Sequence, residues 1–510
     1  MRGILARISE YQGGDSVSLS MFLNMRVWGF AFQRAWVYVM FVGMGANSVG
    51  LSPSPLPPAV YQWSSLALCT TLLLAAVAYR RMEQALYDRR VRWFATILTS
   101  ACTLGAFVLT AIDAPVWLLA LVGGVGTGVG SGLLDLGYGE IYRNRPPSEV
   151  GIEIPTAALF AGILYAVISN IPSVAAVAIV SLLPLASGLI MTLQQHTWAT
   201  AHAVKASTSL EGAVGFLLRI GLCTCVISLA DGIMRQTFMT VASVSPQQFY
   251  HPGMLVSSIV MAVLLIGFLL LRREGTFRDL YKLITFIIAA SIVLTPVFVE
   301  SAAWDSLLVL VGYNTFNVFV WILLANIAYS LRLPATFVFG FGWGLLTVGN
   351  TMGHIIGSAM SSAVELSSLT LSLITALTTL AIFAMLVFVL KDDDLVDLKK
   401  MQFTVEASEE GESEATPAGE STGDGDTSGI RPGSFRDRCM TLASEAGLTP
   451  RETEILLLFA RGRSSTYIQE ELFISRGTVT THLQHIYRKT GVHSKQELLD
   501  LVESKRDGAA

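Results

Sequence analysis

The sequence predicts an all-α protein in two parts: a polytopic membrane bundle of twelve helices, arranged as two six-helix halves, and a small C-terminal domain of four helices. The chain has 510 residues, is 52% hydrophobic and only 14% charged, and has a mean hydropathy of +0.57. Soluble chains are about a quarter charged. The apolar runs all lie between residues 28 and 390, and the residues beyond them have an ordinary polar composition. We therefore predict that residues 28–390 lie in lipid and that the residues after them lie in water.

Residues 1–27 form the predicted cytoplasmic N-terminal segment. Its first residues contain no apolar stretch, so a cleavable signal peptide is not expected. Residues 28–390 then form the predicted membrane domain, in which each apolar segment is about 17–25 residues long and can cross a ~30 Å hydrocarbon core. The twelve predicted spans are 28–49, 59–79, 93–112, 115–141, 152–171, 173–193, 213–234, 253–271, 281–299, 306–329, 335–359 and 369–390.

The charge of the connections predicts the orientation. With the N-terminus inside, the outer loops hold one basic residue, Arg235, and acids such as Asp113 and Glu300. Positive residues collect on the cytoplasmic side of membrane proteins, so a cytoplasmic (inner) membrane protein with both termini in the cytoplasm is predicted. The basic residues of the inner loops are Arg80, Arg81, Arg89, Arg90, Arg92, Arg143, Arg145, Lys205, Arg272, Arg273, Arg278, Lys282 and Arg332.

Weak internal similarity predicts two halves of equal orientation. The motif L-x-L-V-G occurs at Leu119 and again at Leu308, and the Arg80–Arg81 pair after the second span matches Arg272–Arg273 after the eighth. This arrangement resembles the major facilitator superfamily, which has parallel halves and basic second-to-third loops. The loops here lack the Gly and Asp of the superfamily's fuller signature, which leaves active transport open.

Charged residues within the spans are candidates for function, because charge in lipid is costly. Pairing or snorkelling to the membrane surface is the simpler interpretation for Arg34, Glu140, Glu153 and Arg219. The further polar residues of the spans are Asp135, Asp231, Asn47, Asn314, Asn317, Asn350 and His354.

Asn314 and Asn317 are predicted to lie near mid-depth of the tenth span, on one helical face. A cavity between the halves is a natural place for that face, so both residues are candidate ligands of an unknown small molecule. Interhelical hydrogen bonding is the alternative interpretation.

No catalytic, cofactor or metal site is predicted. The glycines from Gly123 to Gly132 lie inside an apolar run, which favours close helix packing over nucleotide binding. The five cysteines form no CxxC pair and are predicted to be mostly small buried side chains. The two histidines of the C-terminal domain, His482 and His485, fall within one helix without partners at metal-ligand or catalytic spacing. We therefore expect no enzyme.

Residues 391–435 are predicted to be a disordered acidic linker, because Met401 to Ile430 contain no Lys or Arg and are rich in Glu, Ser, Thr, Gly and Asp. The predicted C-terminal domain is 436–510. Its first helix begins with a capping box formed by Thr449 and Glu452, with Pro450 in the first turn. A second short helix follows Ser464, a third runs from Ser475 to about Lys489, and a fourth covers residues 495–502.

These residues resemble the LuxR-type (NarL-type) helix-turn-helix domain. The matching motifs are "LTPRE", "ARGRSS", "LFIS", "THL" and "IYRKTGVHSKQEL", in the family's order and spacing. The resemblance implies double-stranded DNA as partner and a homodimer formed through the fourth helix, at Leu498, Leu501 and Val502. It implies base reading by Thr480, Thr481 and Gln484 in the major groove. The phosphate contacts that it implies are Ser464, Ser475, Thr478, Arg488 and Lys489.

Two departures from the family weaken the predicted DNA affinity. The family usually has Lys where Thr480 stands, and often Lys where Gln484 stands. Residues 448–510 hold nine Lys and Arg against eight Asp and Glu. Fewer cations against phosphate give a lower nonspecific affinity, although glutamine can still pair with adenine.

The sequence thus predicts a one-component transcriptional regulator that senses a small molecule, from outside or from the bilayer, through its membrane domain and binds DNA in the cytoplasm. Two alternatives remain: a transporter with a regulatory DNA-binding tail, and a regulator whose membrane domain is only an anchor.

Overall fold

The computed structural model describes most of the membrane bundle and part of the C-terminal domain. The described residues are 24–42, 56–194, 210–241, 250, 253–271, 302–363, 372–380, 435–460, 468 and 476–492, with single positions at 287, 290, 293, 497, 498, 501 and 502. The chain divides into two compact units, Met1–Thr416 and Pro417–Ala510. The predicted linker lies outside the described residues except for Phe435.

All regular elements among these residues are helices, as predicted. In the first unit they are α1 (Met25–Val37, continued by a π-helical turn Tyr38–Val42), α2 (Pro58–Val77), α3 (Tyr79–Tyr87), α4 (Arg89–Ala111), α5 (Val116–Arg143), α6 (Pro147–Ile168), α7 (Ser173–Leu193), α8 (Leu210–Val241), α9 (Gly253–Leu271), α10 (Ala302–Ser330) and α11 (Ala335–Ala363). Residues 372–380 are also helical.

Seven of the described helices are long and apolar enough to cross a membrane, by length and composition. They are Ala59–Val77, Arg89–Ala111, Val116–Arg143, Glu149–Ile168, Val174–Leu193, Val214–Thr240 and Leu307–Ser330. Of the ninth predicted span, only the single helical positions 287, 290 and 293 are described, and most of the twelfth lies outside the described residues. The count of twelve therefore stays a prediction.

Local signals explain where several helices begin. Asn24 caps α1, since its side-chain oxygen accepts a hydrogen bond from the Val27 N–H at 2.9 Å. Asp88 caps α4 in the same way through Arg90. Proline stands in the first turn of α2 and α6, where its missing N–H costs no helical hydrogen bond.

Two polar segments differ from their predictions. The basic stretch after the second span is the helix α3 rather than a loop, and Arg92 closes its end by donating to the carbonyls of Leu86 and Tyr87 at 2.7 and 2.8 Å. Arg235 was placed in an outer loop, and this is wrong. It lies inside α8, which continues to Val241, because an ion pair with Asp231 one turn earlier lets the charge remain within an apolar helix.

By their order in the chain, we call α1–α7 the N-terminal half of the described bundle and α8–α11 the C-terminal half. The halves meet where α2 runs antiparallel to α11 and where α6 packs against α9 and α10. Gly340 of α11 lies so close to α2 that an added Cβ would stand 2.6 Å from the Leu72 carbonyl oxygen. Aromatic rings fill the centre of this junction, where Phe30 of α1 packs 4.6 Å from Trp321 of α10.

The predicted role of the glycines in α5 is confirmed. A Cβ at Gly124 would stand 2.7 Å from the Cβ of Trp63, and one at Gly128 would overlap the Ser64 carbonyl oxygen. The five cysteines are free, and Cys69, Cys223 and Cys439 are buried.

The second unit has its own apolar core. It contains α12 (Phe435–Glu445), α13 (Pro450–Ala460) and α14 (Arg476–Thr490). Ile468, the described residue of the predicted second helix, is helical and buried, as are Leu498 and Val502 of the predicted fourth helix. The helix α12 was not predicted, although Cys439, Leu442 and Ala443 recur at helical spacing and are all buried.

We expect Gly128→Ala to destabilise the bundle, because the new methyl group has to displace the α2 backbone. Overpacking of this kind costs about 1–3 kcal/mol. The thermal unfolding midpoint of the detergent-solubilised protein should fall by several degrees.

The matched control is Gly215→Ala in α8, where no described atom lies within 4 Å of the added Cβ. This variant should unfold at the wild-type temperature or slightly above it, since Ala is the better helix former. Equal midpoints for the two variants would contradict the packing of α5 against α2.

Candidate ligand cavity and candidate DNA-binding face

A cavity of about 130 Å³ lies between the two halves of the bundle. Its walls come from α1, α2, α5 and α6 on one side and from α8, α10 and α11 on the other. A water molecule takes up about 30 Å³ in the liquid, so the space holds about four waters or a small organic molecule. The lining is largely aromatic, with amide and hydroxyl groups and three charged side chains: Arg34, Asp135 and Arg235.

Arg34 of α1 forms an ion pair with Asp135 of α5 at one wall of the cavity. The same carboxylate accepts hydrogen bonds from Gln33 at 3.4 Å and from the indole N–H of Trp343 at 3.2 Å. The guanidinium also lies 5.1 Å from the ring centroid of Trp321, a favourable cation–π distance. The predicted pairing of Arg34 is therefore found, and its partners come from both halves.

Arg235 of α8 occupies the other side of the cavity. Its Nε lies 2.8 Å from Asp231, one Nη donates to the Tyr250 hydroxyl at 3.2 Å, and the other donates to Asn350. The guanidinium also lies 4.3 Å from the centroid of the Tyr313 ring. The sequence signalled Asp231 and Asn350 as polar residues within spans but did not signal Arg235, the group that connects them.

Asn314 and Asn317 both line the cavity. Asn314 is buried and donates to the Ser257 hydroxyl of α9 at 2.6 Å, which is the interhelical hydrogen bond of the alternative interpretation. Asn317 donates to the Tyr313 carbonyl within its own helix at 2.8 Å. Their role as ligand contacts stays a prediction.

Two other charges of the spans are paired at the ends of helices. Glu153 of α6 accepts from Asn24 at 2.6 Å and pairs with Arg26 at 2.5 Å. Glu140 of α5 pairs with Arg143 at 3.2 Å and accepts the backbone N–H of Ala335 at 3.1 Å. Arg219 is exposed on α8, where a long side chain can reach the membrane surface. The described residues contain no group of three His, Cys, Asp or Glu that could hold a metal ion.

In the second unit, α14 presents a polar face on the side opposite its buried residues. Val479, Leu483 and Ile486 are buried, whereas Gln484 and Arg488 are exposed. Since each residue turns the helix by about 100°, Thr480, Thr481, Gln484 and Arg488 share about 100° of its circumference. Thr478 is exposed at the edge of this face. Ser464 and Ser475 lie outside the described residues.

Lys489 is held within the domain. Its ammonium donates to Glu452 of α13 at 2.7 Å and to the Gly447 carbonyl at 3.1 Å. It also stands about a quarter turn from Arg488, on the side of α14 that faces α13. A phosphate contact by Lys489 would have to replace this ion pair.

The predicted capping box at the start of α13 is confirmed. The Thr449 hydroxyl accepts from the Glu452 N–H at 3.3 Å, and Glu452 accepts from the Thr449 N–H at 2.8 Å. Burial by itself would raise the pKa of the Glu452 carboxyl, but the hydrogen bonds from Lys489 and Thr449 outweigh it and lower the pKa to about 2. Glu452 thus begins α13 and fixes α14 against it.

The residues predicted for dimerisation pack within a single copy of the domain. Leu498 and Val502 are buried in the core of the domain, and Leu501 is partly buried against it. Their side chains therefore have little or no surface left for a partner, because the fourth helix needs them to pack on its own domain. Any contact between copies would use Leu501 and the outer face of that helix, and the homodimer stays a prediction.

Comparison with known proteins identifies this domain. Residues 446–502 match the family described as bacterial regulatory proteins, luxR family. The chain is 42% identical over 62 residues to a putative HTH-type transcriptional regulator of Mycobacterium tuberculosis, which covers 12% of this chain and 7% of that protein. It is 44% identical over 59 residues to the oxygen regulatory protein NreC of Staphylococcus aureus, covering 12% and 27%. The C-terminal segment is a LuxR-type helix-turn-helix domain, and the chain spans only a small part of these relatives.

Solved structures of transporters are similar to the membrane bundle at low identity. A bacterial homologue of the iron transporter ferroportin in an outward-facing state matches with 14% identity and a TM-score of 0.48, covering 75% of this chain and 99% of that chain. The major facilitator superfamily transporter FucP in an outward conformation matches with 12% identity and a TM-score of 0.43, covering 73% and 100%. Neither likeness says what this chain binds or moves.

We expect the stability of the second unit to fall as the pH decreases from about 4.5 to about 2. A carboxyl whose pKa is lowered from 4.5 to about 2 by folding stabilises the folded state fully above 4.5 and loses that contribution as it is protonated. Glu452→Gln should reduce this dependence and weaken the domain at neutral pH. Urea unfolding of residues 417–510, followed by circular dichroism, measures both effects.

The control is Glu454→Gln, which removes a carboxylate that pairs with Arg451 at the surface. Exposed pairs of this kind contribute about 0–1 kcal/mol. If the two variants show the same pH dependence as each other, the bond between Glu452 and Lys489 does not fix α14.

Proposed function

We propose that the protein is a membrane-embedded one-component transcriptional regulator. Its membrane unit senses a small molecule, and its LuxR-type domain binds DNA. The observation that carries the proposal is the presence in one chain of a domain with an exposed polar face on α14 and of a membrane bundle with a cavity lined by aromatic and polar side chains.

The proposed location is the cytoplasmic membrane, with both termini inside. Positive charge on the predicted inner loops supports this orientation, and the placement of Arg235 within α8 removes the one basic residue assigned to the outer side. In this orientation the LuxR-type domain is on the side of the membrane where DNA is found.

Sensing follows from differential binding to two arrangements of the halves. A ligand in the cavity touches helices of both halves, so it stabilises the arrangement in which those contacts are best. We propose that the linker passes this change to the DNA-binding domains by altering their pairing. Two copies would bind adjacent half-sites as a homodimer.

Affinity of a single copy for DNA is expected to be low. Both cations at the end of α14 are exposed, but the ammonium of Lys489 is paired with Glu452. Each phosphate contact adds to affinity and to its salt dependence. Because DNA binding depends on the pairing of two LuxR-type domains, a signal in the membrane that alters their pairing also controls the occupancy of an operator.

We expect Arg488→Ala and Gln484→Ala to weaken DNA binding in different ways. Loss of Arg488 should reduce affinity for all sequences and lower the salt slope by about one. Loss of Gln484 should reduce discrimination at one base pair by about 1–3 kcal/mol. Binding is measured with full-length protein in lipid nanodiscs and operators found by genome-wide mapping of bound DNA.

Arg451→Ala serves as the control, because it removes a positive charge from α13 rather than from the recognition face. It should change neither the salt slope nor the base preference appreciably. If the full-length protein enriches no DNA under any condition, the regulatory proposal is wrong.

The cavity also keeps the transporter alternative open. Accumulation of a substrate in proteoliposomes, abolished by Asn314→Ala together with Asn317→Ala, would favour a transporter with a regulatory tail. Regulation of the target genes by residues 436–510 alone, at the wild-type level, would indicate that the membrane unit is only an anchor. We expect neither result.

A further inference from the structure

Each of the two arginines at the cavity is paired with an aspartate, and of the two aspartates Asp135 lines the cavity while Asp231 does not. Arg34 pairs with Asp135, and Arg235 pairs with Asp231 at 2.8 Å. Among the described lining residues the other group able to carry charge is His354, whose ring packs 5.0 Å from that of Tyr61. A ligand with a net charge would therefore enter without a counter-ion, and an unpaired charge away from water is strongly unfavourable.

Two buried N–H groups at the cavity lack an acceptor among the described residues. They are Nε of Arg34, whose Nη2 holds Asp135, and the indole Nε1 of Trp321, a residue only 1% exposed. The two side chains are neighbours, since the guanidinium lies 5.1 Å from the Trp321 ring. Buried donors without an acceptor are rare because each costs free energy. Both would be satisfied by an oxygen atom of a bound molecule.

The remaining walls suit an apolar body. Phe30, Phe41, Tyr61 and Trp343 line the cavity beside Arg34 and Trp321. These rings bind flat or aliphatic groups through apolar contact and do not require the ligand to be charged. A cavity of roughly 150 Å³ can hold benzene, so the volume of about 130 Å³ corresponds to a ligand built on one aromatic ring.

We propose that the cavity selects an uncharged organic molecule of this size. A carbonyl or hydroxyl oxygen of the ligand accepts hydrogen bonds from Arg34 and Trp321, and its apolar body lies against the aromatic walls. Arg34 and Trp321 are then the residues that determine specificity, and each half of the bundle provides one of them. The biological meaning of this site rests on the proposed sensing function.

Three probes of similar size test the ligand class on the full-length protein in lipid nanodiscs. Benzamide is uncharged and has an acceptor oxygen, benzoate adds a charge, and toluene lacks the oxygen. Isothermal titration at neutral pH should give benzamide an affinity at least about tenfold above both of the others. Benzoate binding as well as benzamide, or no binding of benzamide at millimolar concentration, would overturn the proposal.

The variant Trp321→Phe tests the donor while keeping an aromatic ring in place. It should weaken benzamide at least about tenfold and leave toluene nearly unchanged. The matched control is Trp28→Phe on α1, since Trp28 stacks on Phe160 at 4.6 Å and does not line the cavity. Equal benzamide affinities for the two variants would exclude Trp321 as the donor.

Asp135→Asn tests the charge balance directly. It leaves Arg34 without its counter-ion, so the preference should reverse and benzoate should bind more tightly than benzamide. Benzoate should also raise the thermal midpoint of this variant, because it supplies the missing negative charge. A variant that still prefers benzamide would show that the pair does not set the charge of the ligand.

These measurements do not involve DNA, so the proposed ligand site and the proposed sensing function can be refuted independently of each other. Binding of benzamide at Trp321 without any change in operator occupancy would leave the site intact and count against the sensing function. An effector that changes occupancy but binds independently of Arg34 and Trp321 would leave the sensing function intact and refute the site.

Discussion

The pair of Arg34 and Asp135 is the interaction on which the junction of the two halves depends. Through Arg34 and Asp135 it connects α1 and α5, and through the Trp343 N–H and the Trp321 ring it reaches α11 and α10. Burying an ion pair costs more than its attraction returns unless further hydrogen bonds satisfy both partners. Here Gln33 and Trp343 donate to the carboxylate of Asp135, and of the Arg34 nitrogens Nε is left without an acceptor. The same pair thus joins helices of both halves and forms part of the cavity wall.

Close backbone approach sets how the halves can move. Gly340 of α11 lies against α2, and Gly353 lies so near α8 that an added Cβ would stand 3.1 Å from the Gly232 Cα. Contacts this close have little tolerance for partial displacement, since packed interfaces favour discrete arrangements over continuous deformation. A two-state response to a ligand is therefore consistent with the packing of α11 between α2 and α8.

In the LuxR-type domain, two charged residues form an ion pair that holds its own helices together. Glu452 begins α13, holds Lys489 of α14 and so fixes the angle of the recognition helix. Arg488, which is exposed beside Gln484 and two threonines, has no such ion pair among the described residues.

The sequence by itself determined the helical bundle, the positions of the described apolar helices to within several residues, the capping box of Thr449 and Glu452, and the LuxR-type domain. These features follow from local pattern: hydropathy over a span, side-chain caps and motif spacing. Only the tertiary structure decided that Arg235 lies inside α8, that Lys489 bonds to Glu452, and that Leu498 and Val502 belong to the core. It also brought Arg34 and Trp321 together, although they are far apart in the chain. The reason is physical, because the partner of a charge or an N–H group is set by which helices pack together, and local periodicity does not specify that packing.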